Sequence, residues 1–552
     1  MDRHRAVLVR YSFLFFIEYL ALLMVLSWPQ QARTPALLVL NSRIYEMTTA
    51  LNPLRVLGTN PAENASLALR LGLLLVLLAL FTTFLCLLRD TRRMAGQTTL
   101  AAILIGAVLF AVPLLLLPYL LSNDIYAYIM YGRIAALYDT NPILIPPSTF
   151  RTDPFLPYLG FWKSTPSVYG PLWTLISHAL TLLVQLFGGQ TWLYLLAYKG
   201  VALAAHLATA ALIWDLLGRW RPEQQTWGTL LYAWNPLALH EAAGSAHNDA
   251  IMIALIVLGI WLADRGRWRR ALVALLGAAL IKWIAIVMLP LYGMLLIRRC
   301  SSLRARLLIG GQLVAIAGVV TVSAYGIYGQ PLRSALAPFN APSSTREINS
   351  LAQLAADYVP QGLDALGLGP GTIISNQPLA VRPKRALDER GIERDDRSNR
   401  LQQRSQLSAH LQQRSVIYKG RQQVLSLASR FGKIQFALLT ALALWGIWRR
   451  PTLQRLVRGS FWIFLMTLLI GSPWFWPWYT LWPLALAALL DWQISGRASA
   501  LFTATAATIY VTYPADSHGL IENLRALFVF PPVLLFIAYL LWRQGRGLLR
   551  EQ

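Results

Sequence analysis

The feature that most constrains the fold is a series of apolar segments that runs through almost the whole chain. The apolar windows are residues 9–28, 67–88, 98–121, 171–188, 191–217, 226–240, 250–264, 271–281, 284–297, 305–329, 432–449, 460–472, 478–491, 498–513 and 526–542. A helix of about 20 apolar residues can cross a bilayer. Because 56% of the residues are hydrophobic and only 13% are charged, the composition is typical of a polytopic membrane protein. We predict an all-α bundle of roughly 12–15 membrane helices, some of them too short to cross unless they tilt or pair as hairpins that dip towards a cavity.

Arginine clusters at the ends of these segments predict the topology. They are Arg89/Arg92/Arg93, Arg219/Arg221, Arg265 to Arg270, Arg298/Arg299, Arg449/Arg450 and Arg543/Arg546. Such clusters favour the cytoplasmic side, so we expect a multi-pass cell-membrane protein with loop 122–170 outside the cytoplasm. This topology requires that either 171–188 or 191–217 does not span. Since the topology accounts for the net charge of +24, we expect no nucleic-acid partner.

The changes in hydropathy divide the chain into five regions. They are N-terminal membrane helices at 1–121, an extracytoplasmic catalytic loop at 122–170, a membrane core with short hairpin helices at 171–329, an extracytoplasmic loop at 330–431 with short interfacial helices, and C-terminal membrane helices at 432–552. The basic insert 377–430 can attract anionic lipid headgroups or be a solvated segment without a role.

Asp124 is the first candidate for a chemical role. It follows an apolar run in the sequence SNDIYAY, and an ionisable group where a helix leaves the hydrocarbon is a functional candidate. If a helix begins here, Tyr128 and Tyr131 share its face. The alternative is that Asp124 only caps this helix, because Ser, Asn and Asp are all good N-caps.

A second group lies in the sequence WNPLALHEAAGSAHND, between two short apolar helices. Asn248 or Asp249 could cap the following helix. His240, Glu241 and His247 are costly at membrane depth unless they meet a cavity or partners. None of these residues has the spacing of a known metal motif, so we predict no metal site.

Two further segments could contact a substrate. Lys282 interrupts an apolar hairpin, where it can bind a phosphate or extend to water. The sequence SPWFWPWYTLWP contains Trp476, Trp478 and Tyr479. These aromatic residues form either an interfacial belt or platforms for sugar rings.

Taken together, SNDIYAY, TNPILIPP, WKSTPSVYGPLW, WNPLALHEAAGSAHND, the mid-hairpin lysine and SPWFWPWYTLWP resemble the polyprenol-phosphate-mannose-dependent mannosyltransferases. These are membrane-embedded glycosyltransferases of the GT-C type. The resemblance implies inverting transfer of a hexose, with mannose expected, from a polyprenyl-phosphate carrier to a glycolipid or oligosaccharide acceptor outside the cytoplasm, without an obligatory metal or other cofactor. Asp124 matches the family's acidic residue in the first large outer loop.

This resemblance suggests a role for each candidate. Asp124 would act as general base, and Lys282 and Arg133, with His247 behind them, would stabilise the leaving lipid phosphate. The predicted substrate-binding residues are Tyr128, Tyr131, Arg133, Tyr169, His247, Asn248, Asp249, Lys282, Trp476, Trp478 and Tyr479. A transporter or flippase of a lipid-linked saccharide is the alternative, because it would also need an ionisable cavity and broken helices.

Overall fold

The computed structural model describes residues 2–27, 63–92, 99–116, 122–340, 348–365, 393–512 and 524–550. The described residues form helices and no β-strand, apart from one isolated bridge between Ile348 and Trp474. The prediction of an all-α polytopic protein is therefore confirmed. Much of the predicted outer link 514–525 and residues 377–392 of the basic insert lie outside the described residues.

The helices follow the apolar windows closely. They are α1 (Asp2–Ser27), α2 (Glu63–Thr91), α3 (Leu100–Leu116), α4 (Asp124–Leu137), α5 (Pro171–Leu186), α6 (Thr191–Trp220), α7 (Gln225–Ala233), α8 (Pro236–Leu239), α9 (Asp249–Asp264), α10 (Trp268–Ile281), α11 (Met288–Arg299), α12 (Leu303–Gly326), α13 (Pro331–Asn340), α14 (Leu351–Ala365), α15 (Glu393–Arg449), α16 (Leu453–Met466), α17 (Leu481–Ala488), α18 (Arg497–Thr512) and α19 (Arg525–Arg550). Short 3₁₀ segments cover Pro147–Thr149, Leu156–Ser164, Pro222–Gln224, Trp283–Val287 and Pro477–Thr480, and π-helical turns cover His240–Gly244, Thr467–Gly471 and Trp492–Gly496.

Seven helical stretches of the described chain are long and apolar enough to cross a bilayer. They are Ala6–Val25, Arg70–Thr91, Thr191–Trp220, Leu303–Gly326, Gly420–Arg449, Leu453–Gly471 and Arg525–Arg543. An eighth span would be the pair Pro236–Gly244 and Asp249–Asp264, which bends by 115° at its break. Other apolar helices, such as α3 and α5, are shorter, as the sequence predicts for helices that surround a cavity.

The ends of the helices fall into two groups. Helices α9, α11 and α15 end beside arginines, and α10 and α16 begin there. At this arginine-rich end Arg219 pairs with Asp264 at 3.0 Å, and Arg298 donates to the Trp448 carbonyl at 3.1 Å. The opposite ends of α9 and α10 meet where Lys282 pairs with Asp249 at 2.8 Å. The polar helix breaks therefore lie together, at the end opposite the arginines.

Helix length distinguishes the two segments that the topology could not assign. Helix α6 has 30 residues, about 45 Å at the usual rise, whereas α5 has 16 residues, about 24 Å. Helix α5 also begins at the polar end, because the Gly170 amide donates to the Ile281 carbonyl at 3.0 Å. Helix α6 is therefore long and apolar enough to cross a bilayer, whereas α5 is too short to cross by itself.

Helix α15 runs through the boundary predicted at 431/432. Its 57 residues correspond to about 85 Å, far more than a bilayer requires. The apolar part Gly420–Arg449 is the candidate span, and the same helix includes residues 393–430 of the basic insert. Arg421 pairs with Asp357 of α14 at 2.8 Å and joins the two helices.

An aromatic cluster packs the N-terminal helices against the broken pair. Phe15, Tyr19, Phe110 and Trp234 have ring centroids 4.9 to 6.4 Å apart where they contact one another. The next residue, Asn235, caps α8 by accepting from two backbone amides, and Pro236 occupies the first helical turn, where proline is favoured. The sequence WNP thus fixes the start of the helix that leads to the polar break.

Candidate active site

Asp124 is the first residue of α4, and its carboxylate faces the loop that follows this helix. The N-cap is Asn123, whose side chain makes no capping bond. The Asp124 carboxylate instead accepts from the Trp162 indole N–H at 3.0 Å and from the Tyr169 hydroxyl at 3.3 Å. Asp124 is only 7% exposed. The geometry therefore does not support the capping alternative, because the carboxylate is turned towards aromatic donors.

Burial changes the proton affinity of Asp124. The pKa of this carboxyl is raised above its ordinary value, chiefly because burial disfavours the charged form, while the Trp162 hydrogen bond and the positive charge of Lys282 oppose the rise. A carboxylate with a raised pKa is a stronger base at neutral pH. A general base requires a pKa that is shifted upwards in this way.

Helix α4 packs closely on α5 and anchors the loop. A Cβ on Gly132 would lie 2.4 Å from the Ser177 carbonyl oxygen, so only glycine fits there. Tyr131 donates to the Thr165 carbonyl at 2.9 Å. Tyr131 therefore anchors the end of the loop. It also lies on the same helix as Asp124, as predicted.

Arg133 lies in a different environment from the one predicted for a phosphate ligand. Its Nε donates to Asp153 at 2.9 Å, and its NH1 donates to the Tyr194 hydroxyl at 3.2 Å. Its guanidinium also lies 5.1 Å from the centre of the Phe155 ring. These contacts join α4, the loop and α6, and they indicate a structural role for Arg133.

The break between α8 and α9 presents the second group of candidates. Ala246 has a φ of 56°, a conformation that costs a non-glycine residue about 1–2 kcal/mol, and such strain is often found at functional sites. His247, Asn248 and Asp249 follow it and are fully buried. Asn248 precedes α9 but makes no side-chain cap, and both of its side-chain amide atoms lack a hydrogen-bond partner. The sharp turn therefore delivers three polar side chains to the site.

His247 connects this break with Asp124. Its Nδ1 lies 3.8 Å from Asp124 Oδ2 and 3.4 Å from the Tyr128 hydroxyl. Its Nε2 lies 3.3 Å from Glu241 Oε2. The other carboxylate oxygen of Glu241 accepts a hydrogen bond from Tyr510. The imidazole thus lies between two carboxyl groups.

Lys282 has an extended backbone conformation and joins α10 to the following 3₁₀ turn. Its ammonium donates to both oxygens of Asp249 at 2.9 and 2.8 Å, and Trp482 donates to the same carboxylate at 2.6 Å. The ammonium also lies 4.7 Å from the centre of the Tyr479 ring. Sixteen per cent of the lysine side chain is exposed, so its third N–H remains in reach of a ligand.

Tyr169 contacts both the acid and the cation. Its hydroxyl donates to Asp124, and its ring centre lies 5.9 Å from the Lys282 ammonium. The close approach depends on Gly170, where a Cβ would lie 2.1 Å from the Leu280 carbonyl oxygen. A glycine after the tyrosine therefore lets the loop lie directly against the end of α10.

The aromatic segment 472–483 packs against this site. Trp478 stacks on His247 at 3.8 Å and on Trp476 at 5.0 Å. Tyr479 stacks on Trp482 at 4.5 Å and also faces Lys282. All three predicted platforms therefore pack against other aromatic rings.

Three aromatic contacts of the site were not predicted from the sequence. Trp162 and Trp482 donate to the two aspartates, and Tyr510 donates to Glu241. The motif WKSTPSVYGPLW pointed to the neighbourhood of Trp162 but not to its partner. Within the described residues, no group of three or more His, Cys, Asp or Glu side chains is placed to hold a metal ion.

Comparison with known proteins adds independent information on residues 36–298. This region matches the family described as alpha-(1->6)-mannopyranosyltransferase, N-terminal domain. Alpha-(1->6)-mannopyranosyltransferase A of Mycobacterium tuberculosis is 29% identical over 205 residues, covering 36% of this chain and 38% of the relative. Alpha-(1->6)-mannopyranosyltransferase B of Corynebacterium glutamicum is 27% identical over 235 residues, covering 38% and 37%.

A probable alpha-(1->6)-mannopyranosyltransferase of Mycolicibacterium smegmatis is 27% identical over 210 residues, covering 33% of this chain and 36% of the relative. The chain therefore spans well under half of the length of each of these relatives. The family match nevertheless includes Asp124, Tyr169, His247 and Lys282, whereas the aromatic segment 472–483 lies beyond it. The named relatives support the prediction of a hexosyltransferase. Over residues 36–298 the chain is thus similar to a mannosyltransferase family of the GT-C type, as its motifs indicate.

Proposed function

We propose that this protein transfers a hexose, namely mannose, from a polyprenyl-phosphate donor to a glycolipid or oligosaccharide acceptor at the extracytoplasmic face of the membrane. The observation that carries the proposal is the position of Asp124. It is a buried carboxylate, held by Trp162 and Tyr169 beside the Lys282–Asp249 pair. The sequence by itself indicates four of these five residues, all except Trp162. The mannosyltransferase names of the relatives support the choice of sugar.

The chemistry follows from the placement of the acid and the cation. Asp124 removes the proton of the acceptor hydroxyl as that oxygen attacks the anomeric carbon of the sugar. The transition state carries oxocarbenium character, as in glycoside hydrolysis. Because Asp124 contacts Tyr169, and Tyr169 borders Lys282, the base and the phosphate site lie on either side of one aromatic residue.

Lys282 supports the departing lipid phosphate. Negative charge develops on that phosphate as the bond to the sugar breaks, and a fixed cation in a site of low dielectric stabilises it. Asp249 already accepts two of the ammonium N–H groups. A phosphate therefore shares the third N–H or displaces one oxygen of Asp249, and Lys282 is favoured over Arg133 for this role because Arg133 is committed to Asp153.

The sidedness of the site is part of the proposal. The arginine-rich helix ends favour the cytoplasm, and the polar helix breaks lie at the opposite end. In a background without Cys86 and Cys300, a cysteine at the exposed Thr149 should react with an impermeant thiol reagent in intact cells. A cysteine at the exposed Ser301, near the Arg298/Arg299 cluster, should react only after permeabilisation. The reverse pattern would contradict the proposed orientation.

Asp124→Asn tests the function most directly. Asparagine keeps the size of aspartate and one acceptor oxygen but removes its basicity, so the purified variant should fold and bind donor while losing transfer by about 10²- to 10⁴-fold. Transfer is measured with labelled polyprenyl-phosphate mannose and candidate acceptors. Full transfer by Asp124→Asn would refute the assignment of Asp124 as the base.

The 115° break between Pro236–Gly244 and Asp249–Asp264 also favours one alternative, because broken helices are common in transporters. A flippase would move labelled lipid-linked sugar across a vesicle membrane without forming a new glycoside. Reconstituted protein distinguishes the two activities: a glycosylated product from an added acceptor supports the enzyme, whereas translocation without product supports the flippase.

A further inference from the structure

We infer that His247, which lies beside Glu241, accepts the proton that Asp124 takes from the acceptor and returns Asp124 to its carboxylate form. The inference rests on the proposed function and names a second proton carrier for the same site. It is carried by the position of the fully buried imidazole, which lies 3.8 Å from Asp124 Oδ2 through Nδ1 and 3.3 Å from Glu241 Oε2 through Nε2.

The imidazole ring is held in this orientation from several sides. Trp478 stacks on it with centroids 3.8 Å apart and planes inclined by 18°. The Tyr128 hydroxyl lies 3.4 Å from Nδ1. Because three separate elements contact the ring, it cannot rotate away from Asp124 without disturbing all of them. Contacts of this kind are often long without substrate and tighten in the reacting complex.

The two carboxyl groups have different relations to the ring. A neutral imidazole has one N–H and one lone pair. With the N–H on Nε2, the lone pair of Nδ1 faces the Tyr128 hydroxyl at 3.4 Å and Asp124 at 3.8 Å. Nε2 lies 3.3 Å from Glu241 Oε2, without the geometry of a hydrogen bond. Tyr510 donates to the other oxygen of Glu241, so this carboxyl group is a fixed neighbour of the ring.

Two other basic side chains lie near the ring. Lys282 is paired with Asp249 at 2.8 Å, and His240 stacks on Tyr510 with centroids 5.1 Å apart. His247 is the one whose ring nitrogen lies 3.8 Å from Asp124.

The proton and electron balance is complete within the proposed reaction. The acceptor O–H bond breaks as its oxygen bonds to the anomeric carbon, and the bond from that carbon to the phosphate oxygen breaks, leaving its electron pair on the phosphate. The proton passes to Asp124 and then to the Nδ1 lone pair of His247. It leaves to water when the products depart, which restores neutral His247.

The test is chemical rescue of His247→Ala. The variant should lower turnover by about 10²-fold and leave the Kd of labelled polyprenyl-phosphate mannose unchanged. Added imidazole and methylimidazoles fill the space and should restore turnover in the order of their basicity, whereas pyrazole, of similar size but far less basic, should not. A structural role of the ring would give rescue by size alone.

A matched control is available in His206, another fully buried histidine, which stacks on Tyr232 with centroids 4.7 Å apart and lies in α6. His206→Ala should keep its turnover and show no response to imidazole. If His247→Ala does not fold, His247→Gln provides a second variant, because it retains a polar side chain. The turnover of His247→Gln should also fall.

Full turnover in His247→Ala or His247→Gln, or rescue that pyrazole matches, would overturn the inference. Asp124→Asn is measured alongside to separate this result from a failure of the proposed function. An inactive Asp124→Asn beside a fully active His247 variant refutes the proton transfer to His247 alone. An active Asp124→Asn refutes the proposed base itself.

Discussion

Replacing Trp162 by phenylalanine should move the pH dependence of transfer in a known direction. The Trp162 indole donates to the Asp124 carboxylate at 3.0 Å, and this bond favours the charged form, opposing the effect of burial. A hydrogen bond to a charged group contributes about 1.5–3 kcal/mol, and about 1.4 kcal/mol corresponds to one pKa unit. Trp162→Phe should therefore raise the pKa of Asp124 by about one to two units.

The rate should follow the ionised fraction of Asp124. A general base works only as the carboxylate, so kcat/KM falls as the pH falls through the pKa of Asp124 in the free enzyme. Since Trp162→Phe raises that pKa, the acidic limb of the profile should shift to higher pH by the same amount. The measurement is kcat/KM for labelled polyprenyl-phosphate mannose across the pH range in which the protein stays folded.

Two further variants control this measurement. Tyr169→Phe removes a longer bond of 3.3 Å to the same carboxylate, so its shift should be smaller. Trp220→Phe removes an indole bond of 2.8 Å to Asp264 at the arginine-rich end and should leave the limb in place. An unchanged limb in Trp162→Phe, or a shift to lower pH, would refute the assignment of Asp124 as the titrating base.

Lys282→Ala should lower turnover and weaken donor binding, and Lys282→Arg need not restore them, because a planar guanidinium requires a different geometry; unchanged transfer would show that the lysine serves only as the ion-pair partner of Asp249. Gly170→Ala should lower turnover without unfolding the protein, since its Cβ would lie 2.1 Å from the Leu280 carbonyl oxygen and displace the loop, and normal turnover would contradict this. Arg133→Met should lower the Tm, because it leaves the buried Asp153 without its cationic partner at a cost of about 3–5 kcal/mol, whereas a lost donor affinity at unchanged Tm would restore Arg133 as a phosphate ligand.

The sequence identified the ionisable residues of the site because they are rare in apolar surroundings. Asp124, His247 and Lys282 each interrupt or end an apolar segment, where an ionisable group requires a reason. What the sequence could not provide was their mutual contacts. His247 lies 119 residues beyond Tyr128 along the chain, and no local pattern encodes such a pairing. The short windows 226–240 and 250–264 contain the helix pair that bends by 115°.

Trp162 and Arg133 illustrate why the rest could not be predicted. Trp162 is one of 20 tryptophans, and in a membrane protein the usual reading of such residues is an interfacial belt. Arg133 has the charge that a phosphate requires, but it pairs with Asp153, which is 20 residues away in an irregular loop. Residue type alone indicated the chemistry that each side chain could perform, whereas the packing of the loop decided which partner it met.

The separation of charges explains how one small site can hold both a base and a cation. A cation in direct contact with Asp124 would lower its pKa by about 1–3 units and make it a weaker base. In this structure Lys282 donates instead to both oxygens of Asp249, while Tyr169 contacts Asp124 through its hydroxyl and borders Lys282 with its ring. The positive charge therefore stays near the proposed phosphate site. Asp124 keeps the raised pKa that proton abstraction needs, so the Asp249 carboxylate contributes to the proposed base as well as to the cation.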